Sequence, residues 1–181
     1  IISGAGERNI REKVNLKGIL RMESGTLLTN DSLTLKSDSA NTALISHKGT
    51  GALSGKVEIE RFIHGSGEQE ILFGTAFQNA ILRDYTEDMP ILGPDGVQLS
   101  SGANATVWEY RSESQDGNFM SAWYSKTKLQ DQLKAGKGLM GKVAGGSTLR
   151  IRGTVNKGLQ KVALKTNAQN GFNLLSNPYP S

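Results

Sequence analysis

The chain has 181 residues, 36% of them apolar, with 22 glycines and no cysteine. Its 21 Lys and Arg against 17 Asp and Glu give a formal charge of +4, spread along the chain without the basic clusters of nucleic-acid binders. The lack of cysteine removes disulfides, thiolate zinc sites and cysteine nucleophiles together, and no apolar run approaches the ~20 residues of a membrane-spanning helix.

The first ten residues carry no pattern. From Val14 a texture of short apolar pulses begins, each alternating apolar and polar positions as a strand does. Leu20 aligns with Leu33, Met22 with Leu35 and Ser24 with Ser37, a self-match at a spacing of 13 residues. Pulses too short to bury their own face must stack on neighbours. The region to about residue 50 therefore reads as two or three rungs of a parallel β-solenoid, although an antiparallel meander would use the same residues.

The Gly-rich stretch 47–55 marks a boundary, and Val57 and Ile59 alternate with Glu58 and Glu60 in a half-buried strand. Residues 70–74 are another strand. A loop rich in Pro and Asp-Gly follows. Residues 105–112 and 119–125 then form a hairpin about a turn at Asp116, Gly117 and Asn118. Leu129 and Leu133, with Gly136 as a cap, suggest one short helix over 128–135. Three further strands are expected at 147–155, 159–166 and 171–176. The expected architecture is all-β, with solenoid rungs over 1–50 and a β-sandwich over 51–181.

The order of these pieces resembles one family. The rung-like TLLTNDSLTLKSDSANTALI, the strand VEIERFI (Val57 to Ile63) and the closing NLLSNPYPS (Asn173 to Ser181) are similar to segments of large secreted and cell-surface proteins of Bacteroidetes exported by the type IX secretion system. Ile59, Phe62 and Ser176 depart mildly from the family pattern. The resemblance implies export to the cell surface. It also implies partnership with the type IX machinery through a C-terminal sorting domain beyond Ser181, and no reaction. The expectation is a non-catalytic structural or adhesive module, with no cofactor, metal, nucleic-acid partner or membrane insertion. Surface glycans or other surface proteins are the expected contacts. The alternative is a carbohydrate-binding module attached to a secreted enzyme.

Several motifs compete with this reading. Gly136 to Gly141 spells GxGxxG and Lys142 extends it toward a phosphate loop, but such loops need a helix after them to supply N–H groups and dipole. Here a second glycine pair and a strand follow. His47 and His64 have no further ligand at metal spacing. Glu58 and Glu60 lie roughly 7 Å apart on one strand face, a spacing that suits glycosidases, but a solvated outer face opposite Val57 and Ile59 is the favoured explanation. Trp108 and Tyr110 share one strand face, with Trp123 on the partner strand. They are either a stacking platform for sugars or the largest core residues of a chain short of bulky groups. Asp31-Ser32 and Asp38-Ser39 match a short O-glycosylation pattern of the resembled family at Ser32 and Ser39, and match ordinary turn chemistry too.

Overall fold

The structure, a computed structural model, describes residues 1–46, 48–113, 119–165 and 172–180. It is all-β. Among the described residues no α-helix forms, and the helical turns are three short 3₁₀ segments at Leu82–Tyr85, Leu99–Ser101 and Phe119–Ala122.

Eight short strands occupy the N-terminal part: β1 (Glu7–Asn9), β2 (Val14–Leu16), β3 (Ile19–Leu20), β4 (Thr26–Leu28), β5 (Leu33–Leu35), β6 (Leu44–Ile45), β7 (Ala52–Ser54) and β8 (Val57–Phe62). The chain visits three parallel ladders in rotation, β1-β4-β7, β2-β5-β8 and β3-β6. Glu7 lies beside Thr26 and Thr26 beside Ala52, so one circuit takes 19 and then 26 residues. The 13-residue self-match is therefore not the circuit. Leu20 pairs with Ile45, whereas Leu33 pairs with Val14 and Val57. The match relates β3 of the first circuit to β5 of the second, strands on different ladders that resemble each other because each must turn apolar residues inward. The four apolar residues of the match, Leu20, Met22, Leu33 and Leu35, are buried in one core. The patternless lead-in also contributes, since β1 is a ladder strand.

Polar corners align the circuits. Asn30 and Asp31 adopt left-handed backbone, with φ of 46° and 58°, which Asn and Asp tolerate better than other side chains. From this corner Asn30 Nδ2 donates to Ile10 O in the first circuit (2.8 Å) and Asp31 Oδ1 accepts from Lys56 N in the third (2.8 Å). The buried Thr29 hydroxyl donates to Lys56 O (2.8 Å).

Hydrogen bonding runs across the division expected at residues 50 and 51, because β7 and β8 lie beyond it and extend the ladders of β1 and β2. On its other edge β8 takes β13 (Thr148–Gly153) in antiparallel register, with Ile59 opposite Ile151. A second sheet contains β9 (Glu68–Phe73), β10 (Val107–Tyr110), β11 (Trp123–Ser125) and β12 (Leu139–Ala144) in the antiparallel order β11-β10-β12-β9. One core joins Val57, Ile59 and Leu149 of the first sheet to Val107, Leu139 and Val143 of the second. The expected hairpin is present as β10 and β11, with Tyr110 opposite Trp123; its turn lies outside the described residues.

Three expected elements are absent among the described residues. Residues 128–135 are not helical: Arg83 N and Leu82 N donate to Leu129 O and Asp131 O, Leu133 N donates to Ala80 O, and Gln132 bridges Ile81. Two leucines on a polar segment do not outweigh that extended pairing. Residues 159–165 and 172–176 form no named strand. The C-terminal residues instead run as a strap. Gly138 N donates to Leu174 O, Ser176 N to Gly136 O, Asn156 Nδ2 to Pro178 O, Tyr179 hydroxyl to Gly158 O and Ile45 N to Pro180 O. Pro178 and Pro180 cannot donate, and here they contribute carbonyls.

Candidate functional site: an aromatic wall and a polar cleft

Strand alternation gives β10 two different faces. Val107 enters the main core, while Trp108 joins Trp123 and Ala105 in a second cluster with Tyr110, Met140 and Leu174 packed around it. Trp108 is 1% exposed and Trp123 5%. Neither indole has an open face on which a sugar ring could stack. Tyr110 is half-buried, edge-on to Trp123 at 5.3 Å. Burial holds its hydroxyl above the ordinary tyrosine range; that hydroxyl and Trp108 Nε1 are both enclosed without a hydrogen-bond partner among the described residues. The rings that reach solvent are Phe119, 5.1 Å from Tyr110, and Phe172, 5.9 Å from Phe119. The sequence reading missed both as surface groups, because it placed each of them in a strand.

A cleft of 350 Å³ opens beside Tyr110. Glu109 Oε1 accepts from Arg111 Nε (2.7 Å), and the Arg111 guanidinium lies 4.2 Å over the Tyr124 ring. Lys126 pairs with Asp131 at 2.6 Å. Lys165 pairs with Glu113 at 3.0 Å, and that hydrogen bond is the main cause holding the Glu113 carboxyl below its usual range. Lys134 and Lys137 line the same cleft with no ion pair among the described residues. Their turn is anchored by Ser176, whose hydroxyl donates to Lys137 O (2.9 Å).

The other candidate groups fall elsewhere. Glu58 and Glu60 share the outer face of β8 but are not simply solvated. Glu60 is buried, paired with Lys36 and accepting from Ser37 N (3.3 Å), while Glu58 accepts from the Thr34 hydroxyl (3.3 Å). Their register partners are Arg150 and Arg152. Asp88 accepts from Arg150 through both oxygens and is held below the carboxylate range by it.

Gly136 to Gly141 leads into β12 with no helix after it, and Lys142 pairs with Glu68 at 3.2 Å. Gly141 serves packing: a Cβ there would meet Met89 Sδ at 2.7 Å and the Phe73 ring at 2.8 Å. His64 is exposed against Phe62, and His47 lies outside the described residues. No group of three His, Asp or Glu among the described residues could hold a metal. Ser39 is exposed and Ser32 half-buried, both at corners of the second circuit. Ser32 Oγ donates to Asn30 O (3.1 Å). Asp38 Oδ1 accepts from Ala40 N and Asn41 N, which holds its carboxyl low.

Comparison with protein families, with curated proteins and with solved structures finds no match to this chain.

Proposed function

We propose that this chain is a non-catalytic structural or adhesive module of a larger exported bacterial surface protein. In this reading the circuits are rungs of a short β-solenoid and the two four-stranded sheets pack as a sandwich. The observation that carries the reading is the first circuit. β1, β2 and β3 each hold a partner along one edge, and Ile1, Val14 and Ile19 are exposed beside them. Parallel edges aligned on one face are a surface on which further parallel chain stacks. The resemblance in VEIERFI and NLLSNPYPS supplies the rest: export by a type IX system through a further C-terminal domain, to the outer surface or the medium. The test is protease treatment of intact source cells. Loss of the epitope recognised by an antibody to this segment is expected; full protection until the cells are lysed would overturn the location.

A carbohydrate-binding module is the second reading. The cleft beside Tyr110 favours it, because ligand sites combine an apolar wall with a few convergent polar groups.

A further inference from the structure

Most charged groups around the Tyr110 cleft are already paired. Glu109 holds Arg111, Asp131 holds Lys126, and Glu113 holds Lys165. Among the described residues Lys134 and Lys137 are left over, two ammonium groups on one anchored turn lining the same 350 Å³ space. The opposite wall is anchored as well: Asn173 Oδ1 accepts from Lys165 N (3.0 Å) and Asn173 Nδ2 donates to Lys165 O (2.7 Å). The volume sits at the small end of ligand pockets, roughly 300–1,000 Å³.

The lining selects a chemistry. Two cations with no ion pair among the described residues ask for an anion. A bare phosphate or sulfate would meet Glu109 and Glu113 in the same cleft and would make no use of them. A ligand carrying a carboxylate together with several hydroxyls uses both, with its anion on the lysines and its hydroxyls donating to the glutamates. Gln132 and Ser112, also in the lining, add neutral donors and acceptors. We propose that this cleft binds an acidic sugar of the uronate type, with Lys134 and Lys137 taking the carboxylate and Tyr110 forming the apolar wall. This rests on the carbohydrate-binding reading and is independent of export.

The test is calorimetric titration of the full chain with a galacturonic acid trimer, its neutral galactose counterpart and inorganic phosphate. Saturable binding of the trimer is expected, weakened by added salt and weakened about tenfold or more in Lys134→Ala/Lys137→Ala. Both lysines lie on a surface turn; an unchanged melting temperature checks that the variant is folded, and Lys134→Gln/Lys137→Gln repeats the test with length kept. Equal binding of the neutral trimer would overturn the acidic specificity and leave the carbohydrate reading standing. Binding of phosphate alone, lost in the same variants, would overturn the sugar. No saturable binding of either saccharide would overturn both.

Discussion

At the C-terminal end of the parallel ladders each outer strand meets a different stop. β8 is paired by antiparallel β13, the Leu53 carbonyl of β7 accepts from the Lys157 ammonium, and Ile45 N of β6 donates to Pro180 O. At the N-terminal end β1, β2 and β3 have no strand on their outer side among the described residues. The contrast is visible along one ladder position, where Val14, Leu33 and Val57 lie side by side with exposures of 40%, 3% and 0%. Circuits of this kind bury their apolar residues only between neighbours, so the same side chain is core in one circuit and surface in the next.

The strongest way to break that comparison is to place the same charge at both levels. Leu33→Asp buries an unpaired carboxylate and is expected to cost about 4 kcal/mol or more. Val14→Asp, on the same ladder but at the open end, is expected to stay within about 0.5 kcal/mol. Urea unfolding of the two variants measures the difference. Equal losses would mean that the first circuit is as covered as the second.

The strap gives the next effect. Asn156 is buried and its amide donates to Pro178 O (2.9 Å). Asn156→Ala leaves that carbonyl unpaired and is expected to cost about 1–3 kcal/mol. Tyr179→Phe removes the bond to Gly158 O (2.7 Å) and is expected to cost about 1 kcal/mol. If neither variant lowers the melting temperature, the strap does not close that end.

Acid sharpens the contrast further. Asp88, Asp38, Asp95 and Glu113 all have carboxyl groups held below their ordinary range by hydrogen bonds, and for Asp88 the main partner is Arg150. A depressed native value means the stabilisation is complete above the unfolded value of about 4 and is lost as pH falls through the native one. Melting temperature is expected to hold from neutrality down to about pH 4 and then fall. Arg150→Gln should shrink that fall. An unchanged acid profile in the variant would show that the Asp88 pair contributes nothing.

The smallest effect on stability belongs to Lys157→Ala. It should change unfolding by less than about 0.5 kcal/mol, yet it frees the Leu53 carbonyl on the β7 edge, and open edges promote association. Light scattering at rising concentration should show more self-association than in the parent chain.

Where side-chain alternation alone decides structure, the fold was legible. Val57 and Ile59 marked β8, the strand expected over 147–155 contains β13, and the self-matching Leu33 and Leu35 fell in stacked strands. Two kinds of residue misled. Leu129 and Leu133 carry helical spacing, but their segment spends its backbone groups on residues 80–83. Leu159, Leu164, Phe172 and Leu175 suggested strands yet are exposed, Leu159 at 80%, because apolar alternation without a partner makes no strand. The circuit length was hidden by corners of unequal length, since Val14 to Leu33 spans 19 residues and Ile19 to Leu44 spans 25. Of the candidate site, the aromatic residues were visible by composition, and burial of Trp108 and Trp123 was one of the two readings they allowed. The cleft was not visible at all: Tyr110, the Lys134–Lys137 turn and Lys165 are far apart in sequence and line one space only in the fold.

Native-state amide hydrogen exchange tests the two-ended account most directly. Amides of β5 lie between β2 and β8, and those of β8 between β5 and β13. They should exchange only through global opening, whereas the amides of β1, β2 and β3 that face the outer edge should exchange orders of magnitude faster. Uniform strong protection across β1 to β8 at low protein concentration would contradict the open end, and uniform weak protection would contradict the ladders themselves.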